Sequence, residues 1–135
     1  MIKKKTITES LFSFSLSVLT FISCGSISKS ENMDLNVSKF EEYINKNDVQ
    51  LVDVRTQEEY VEGHLAKSVN INVLDLKFEE KALSLLDKNK TIAVYCRSGK
   101  RSAAASTKLN KAGFKTINLL GGIISWREAT KPMVK

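Results

Sequence analysis

From residue 34 onward, apolar positions alternate between helical spacing and short continuous runs. Phe40, Tyr43 and Ile44 recur at helical spacing among polar neighbours, which predicts a helix over 38–46 that Asn47 and Asp48 stop. Val49 to Val54 is a short apolar run ending near Asp53, the pattern of a buried strand. Thr56-Gln57-Glu58-Glu59 fits a capping box and opens a short helix that ends at Gly63. Val69 to Val73 alternates as a strand, and Leu74, Phe78, Leu83 and Leu86 fall near the helical period over 74–86. Thr91 to Cys96 is a strand rich in β-branched and aromatic residues. Ser102 to Ala112 is Ala-rich and closed by Gly113, as a helix should be. Thr116 to Leu120 is strand-like, Gly121-Gly122 turns the chain, and Ile123 to Ala129 forms a short helix. Short strands alternating with helices predict an α/β layer fold with a mainly parallel sheet.

The first 33 residues follow a different pattern. Lys3, Lys4 and Lys5 form a positive head, and Leu11 to Ile22 is uncharged and largely apolar. These twelve residues are too few to span a bilayer as a helix, which takes about 20. A basic head followed by a short apolar stretch predicts a secretory signal over 1–23. Ser23-Cys24-Gly25 resembles the lipobox of bacterial lipoproteins, and that resemblance implies lipidation of Cys24. Residues 25–33 are small and polar, so 24–33 is expected to be a lipidated Cys and flexible tether, with the folded domain at 34–135. The expected location is the bacterial cell envelope, on the periplasmic side and attached to a membrane.

Composition narrows the function classes. The chain has 135 residues, enough for one domain with an appendage. Its charge of +6 comes without a basic stripe, which argues against nucleic acid and suits a small anionic substrate. Two Cys and one His exclude a disulfide scaffold and a four-thiolate zinc site. No metal or organic cofactor is expected.

The chemistry gathers at Cys96-Arg97-Ser98-Gly99-Lys100-Arg101. In an open α/β sheet, ligands bind beyond the carboxyl ends of the strands, where this segment falls. Gly99 allows a tight bend, and the N–H groups of such a loop can point inward around an anion. The following helix adds its positive end, and Arg97, Lys100 and Arg101 add three charges. These influences favour thiolate over thiol, which predicts a depressed pKa and a nucleophilic Cys96. The bland alternative is a small buried Cys beneath a solvated basic loop. With Cys24 lipidated, the chain has no second thiol to resolve a disulfide, so whatever Cys96 carries must pass to an external acceptor.

Three groups of residues, in order along the chain, resemble the signatures of one family. Val52-Asp53-Val54-Arg55 with Glu58-Glu59-Tyr60, Gly63-His64-Leu65-Ala66 and Ser68-Val69-Asn70-Ile71 resembles the N-terminal signature of rhodanese-like single-domain sulfurtransferases. Cys96 to Ser102 resembles the family's active-site loop. Gly113-Phe114, Leu119-Leu120-Gly121-Gly122 and Trp126 resemble its C-terminal signature. The resemblance implies a three-layer fold with a five-stranded, mainly parallel sheet flanked by helices. It implies that Cys96 takes a sulfane sulfur from an anionic donor such as thiosulfate and passes it, as a persulfide, to cyanide or a thiol acceptor. It assigns the N–H groups of Arg97, Ser98, Gly99, Lys100 and Arg101 to the outer sulfur. The cations Arg97, Lys100 and Arg101 would attract the donor. A monomer is expected.

Other residues receive structural readings. His64 is expected to make a buried hydrogen bond, and Asp53 with Arg55 an ion pair. Gly121-Gly122 is expected to be a tight turn, and Trp126 to pack with Ile123 and Ile124 in the core. Two rival functions stand beside sulfur transfer. Cdc25-type phosphatases and arsenate reductases carry a loop one residue longer than Cys96 to Arg101. A non-turnover sulfur carrier or binding module would deliver its persulfide only to a docked partner.

Overall fold

A computed structural model of the chain describes residues 32–135. The signal segment, Cys24 and nearly all of the tether lie outside the described residues. Ten elements follow in chain order: β1 (Met33–Leu35), α1 (Val37–Lys46), β2 (Val49–Asp53), α2 (Gln57–Glu62), β3 (Val69–Asn70), α3 (Phe78–Leu85), β4 (Thr91–Tyr95), α4 (Lys100–Lys111), β5 (Lys115–Leu119) and α5 (Gly122–Glu128). The strands form one sheet of five in the order β1-β5-β4-β2-β3, every pair parallel. The α/β architecture with a parallel sheet is the one the sequence pattern predicts, and the count of five strands is the one the family resemblance implies.

Side-chain alternation along β4 divides the core into two layers. Ile92, Val94 and Cys96 face Phe78 and Ala82 of α3 and Ala105 and Leu109 of α4. Ala93 and Tyr95 face the opposite layer, with Phe40 of α1 and Ile123 and Trp126 of α5. Parallel strands require each return helix to run back down the sheet. Every strand exit and every first helical turn in this crossover therefore lies at the same carboxyl end of the sheet.

Four boundaries differ from expectation. Met33, expected in the tether, opens β1, an edge strand too short to show any periodicity. Tertiary contacts hold it: the Leu120 N–H donates to the Leu35 carbonyl at 2.9 Å, and Asn118 Nδ2 to Asp34 Oδ1 at 2.9 Å. The strand expected over 69–73 pairs only at Val69 and Asn70. The helix expected from Leu74 begins at Phe78, because Asn72 and Asp75 side chains accept the Leu74 and Lys77 N–H groups and bend 72–77 into turns. Leu74 is accordingly exposed. The helix expected from Ser102 begins two residues earlier, at Lys100.

Behind the carboxyl end lies a buried polar network. Arg55 is 3% and Asp53 0% exposed. Arg55 Nε and Nη2 donate to the Asp53 carboxylate at 2.9 and 2.6 Å, and Nη2 also reaches the Gly63 carbonyl at 2.8 Å. This is the structural pair expected from the sequence. The Tyr95 hydroxyl accepts the Leu65 N–H at 3.0 Å and lies 3.1 Å from Ser68 Oγ. Breaking one partner of a buried pair costs far more than the pair contributes, because the other charge is stranded. Asp53→Ala is expected to lower the unfolding free energy by about 3–5 kcal/mol, read as a shift in the urea midpoint at unchanged slope.

Candidate active site

Cys96 directly follows β4, and its side chain is buried on the α3/α4 face. Its sulfur is an acceptor for groups from the turn and from α4. The Gly99 N–H donates to Sγ at 3.0 Å, and the Ser102 hydroxyl donates at 3.3 Å. The same hydroxyl lies 3.1 Å from the Gly99 carbonyl, so its proton is shared between two acceptors. Gly99 caps α4 with φ 102°, a left-handed conformation that suits glycine. Burial pushes the Cys96 thiol up. The Ser102 hydroxyl and the N–H groups of Ser102, Gly99 and Ser98 outweigh that push, and the thiol titrates below its usual range.

The depressed pKa was expected, and its origin differs from the sequence reading. That reading gave a share to three loop cations. Arg101 is diverted: its Nη1 and Nη2 donate to the two Glu59 oxygens at 2.7 and 2.8 Å. Glu59 is also the third helical residue of the α2 capping box, accepting the Thr56 N–H at 3.1 Å. Hydrogen bonding to Arg101 holds the Glu59 carboxyl at about 2, against opposition from burial. Arg97, Ser98 and Lys100 are exposed at the rim.

The outward side of the loop is also fixed. The Ile123 N–H donates to the Cys96 carbonyl at 2.8 Å, and the Ile124 N–H to the Arg97 carbonyl at 3.2 Å. Gly122 makes this approach possible. A β-carbon there would sit 2.5 Å from both carbonyl oxygens, and its φ is 59°. The Gly121-Gly122 turn is thus as tight as expected and forms the bracket of the Cys96 loop. Ile123 and Trp126 are buried as predicted, whereas Ile124, also expected in the core, is only half-buried. His64 belongs elsewhere: its Nδ1 lies 2.9 Å from the Tyr60 carbonyl, its ring stacks on Tyr60 at 3.7 Å, and its backbone pairs with Val134.

The structure therefore gathers Cys96 with the backbone of Ser98 and Gly99, sets Arg97 and Lys100 at the rim, and turns Arg101 toward Glu59. Sequence reasoning missed three contributors. Ser102 closed the loop motif and opened a helix, Glu59 completed a capping box and Gly122 a tight turn, and none of the three was given a role around the sulfur. The capping-box spacing gave the position of Glu59, but its pairing with a residue 42 positions away left no local signal.

Two outcomes follow from this geometry. Gly122→Ala must move backbone rather than a flexible side chain, and is expected to cost about 2–4 kcal/mol, measured by thermal or urea unfolding. Because the folded thiol titrates below the unfolded one, its hydrogen bonds stabilise the fold fully above the unfolded pKa. That stabilisation is lost as pH falls through the folded value. The iodoacetamide alkylation rate of Cys96 should therefore titrate below an unstructured thiol, and Ser102→Ala should move the midpoint upward.

Comparison with known proteins agrees with this architecture. The profile of the Rhodanese-like domain matches residues 36–129. The Bacillus subtilis protein YtwF is 40% identical over 82 residues, covering 61% of this chain and 77% of its own. Thiosulfate sulfurtransferase GlpE of Coxiella burnetii is 35% identical over 88 residues, covering 64% and 78%. Among solved structures, a rhodanese-related protein from Thermoplasma volcanium superposes with a TM-score of 0.66 at 33% identity, covering 76% of this chain and 97% of that one. The matched span contains every element from α1 to α5 and the whole Cys96 loop, and on these grounds the chain belongs to the rhodanese-like domain family.

Proposed function

We propose that this protein is a sulfurtransferase of the thiosulfate type with Cys96 as its sulfur carrier. The observation that carries the reading is the Cys96 sulfur itself, which accepts the Gly99 N–H and the Ser102 hydroxyl at the carboxyl end of β4. A thiolate stabilised in this way is nucleophilic at neutral pH. In the first step it attacks the sulfane sulfur of the donor. The new S–S bond forms as the donor's S–S bond breaks, and sulfite leaves with the electron pair. In the second step cyanide or a thiolate attacks the outer sulfur. Thiocyanate or a persulfide departs, and Cys96 is returned as thiolate.

The loop residues divide between these steps. The N–H groups of Arg97 to Arg101 would hold the outer sulfur, and Arg97 and Lys100 are the exposed cations that would attract the donor. Arg101 would act through the loop it braces against Glu59. That bracing disfavours the phosphatase alternative, in which a loop arginine must be free to hold a tetrahedral oxyanion. The relatives named as thiosulfate sulfurtransferases, from Coxiella burnetii and Arabidopsis thaliana, support the choice of donor.

The N-terminal segment extends the proposal. Its basic head, apolar run and Cys24 suit a lipoprotein signal, which would place the domain on the periplasmic side of a bacterial envelope membrane.

The full chain incubated with thiosulfate and cyanide should produce thiocyanate, and Cys96→Ser should produce none above background. Activity surviving in Cys96→Ser would remove Cys96 as carrier. A folded wild type that accepts sulfur from thiosulfate, gaining one sulfur atom by intact mass, without releasing thiocyanate would point to the docked-partner carrier.

A further inference from the structure

The two ends of the sheet differ in charge and in what they carry. At the carboxyl end lie Cys96, the exposed Arg97 and Lys100, and the Arg101–Glu59 pair. The amino end is marked by Val49, Thr91 and Lys115, which lie opposite one another at the starts of β2, β4 and β5. Helices α1, α3 and α4 close there, each leading into the next strand. This end carries Lys46 at the close of α1, Lys88 and Lys90 before β4, Lys111 at the close of α4, and Lys115 opening β5. Only Asp48 and Asp87 oppose these five lysines in the same segments, leaving an excess of three positive charges. Half of the chain's net +6 is thus concentrated at one pole.

Helix dipoles explain part of this. Lysines in the last turn of a helix complement its negative end, which accounts for Lys46 and Lys111. Lys88, Lys90 and Lys115 lie outside helices and have no such reason. Lys90 reaches Asp48 at 3.2 Å, and Lys46 is occupied with Glu42 at 2.6 Å. The Lys88 ammonium lies over the Phe114 ring, 5.6 Å from its centre, a cation–π contact that leaves it without a carboxylate partner among the described residues. Lys88, Lys111 and Lys115 are exposed and make no ion pair among the described residues.

The same pole receives the N-terminal chain. Met33 lies opposite Ile117, two residues beyond Lys115, so the chain enters β1 from the amino end of the sheet. Residues 1–31, with the apolar run Leu11 to Ile22 and Cys24, precede that point. We infer that the lysine pole of Lys88, Lys90, Lys111 and Lys115 docks on an anionic lipid surface and thereby aims Cys96 away from the bilayer. The inference rests on the proposed membrane attachment of the N-terminal segment. A hydrophobic anchor and a basic patch are the two signals that together give firm, oriented binding. Five steps of strand separate Thr91 from Cys96, which sets the loop about 16 Å further from the lipid than the lysines. A small donor and a bulky acceptor would both reach it from solvent.

The test uses the full chain in phosphatidylcholine vesicles with and without phosphatidylglycerol, dansyl-labelled on the lipid. Trp126 is the chain's only tryptophan and serves as the energy donor. Transfer should be about twofold higher on the anionic vesicles at low salt, and should fall to the neutral-vesicle level at high salt, where charges are screened. The combined variant Lys88→Gln, Lys90→Gln, Lys111→Gln and Lys115→Gln should show that lower level on anionic vesicles without added salt. Its thiosulfate activity in detergent reports that it is folded, and the salt series on wild type tests the idea without any substitution. Cys96, identified by peptide mass, should react with a polymer-linked maleimide equally fast on anionic vesicles and in detergent. Transfer unchanged by salt and by the variant would overturn the inference, as would Cys96 becoming shielded on anionic vesicles. Lysine-dependent binding of an oligonucleotide without any change in transfer would reassign the pole to nucleic acid. A wild type not retained by vesicles at all would instead remove the membrane attachment on which the inference rests.

Discussion

The Cys96 loop is turned inside out, and the rest of the site depends on that. A backbone can aim several N–H groups at one sulfur only if the carbonyls facing the other way find donors of their own. Those donors come from Ile123 and Ile124, beyond the end of β5. Their position follows from strand order. β5 lies beside β4, so its exit turn falls against the exit turn of β4. Contact then requires a residue without a β-carbon, and Gly122 supplies it. A distant turn that looks like mere punctuation therefore sets the geometry around the sulfur.

The same economy operates on the opposite face of β4. Tyr95 and Cys96 are adjacent and point into different layers. The Tyr95 hydroxyl gathers the Leu65 N–H and Ser68, which ties the segment before β3 to β4. Burial holds that phenol well above its ordinary range, so it remains a neutral hydrogen-bonding group. Beside it, the Asp53–Arg55 pair reaches the Gly63 carbonyl at the end of α2. From the start of α2, Glu59 reaches across to Arg101. Both ends of this short helix, which buries no residue of its own, are thus held by polar contacts to the ends of β2 and α4. Cys96 is fixed through a network of hydrogen bonds on one side and apolar packing on the other.

Much of this was legible in the sequence, and the limits have physical reasons. Helices α1 and α4 and strands β2, β4 and β5 carry strong periodicity or β-branched runs, and the predictions match them within a few residues. Strand β1 was invisible because three residues define no period, and its stability comes from β5 and Asn118. The segment from Leu74 misled because its leucines have helical spacing, while Asn72 and Asp75 capture the backbone first. At the site, Cys96 and its loop were readable as a contiguous motif. Ser102 lies in that motif too, but its role depends on a hydroxyl pointing back across the first turn of α4. The Arg101–Glu59 pair could not be read at all, since partners distant in sequence meet only after folding.

The division between hydrogen bonds and free charges explains why so many basic residues crowd one loop. A cation on an exposed arginine or lysine is screened by water and salt, and contributes little to the state of a buried sulfur. Donors from Gly99 and Ser102 act at 3.0 and 3.3 Å in a desolvated position, where each is worth more. The lowered titration of the buried Cys96 thiol therefore follows from these hydrogen bonds rather than from Arg97 or Lys100. Those two side chains stay free at the rim, where a long-range field can act on an approaching anion. Arg101, half-buried and held by Glu59, belongs to neither group and serves as the brace between α2 and α4. The seven residues from Cys96 to Ser102 thus separate three tasks by depth: stabilising the sulfur below, bracing at mid-level, and presenting charge at the surface.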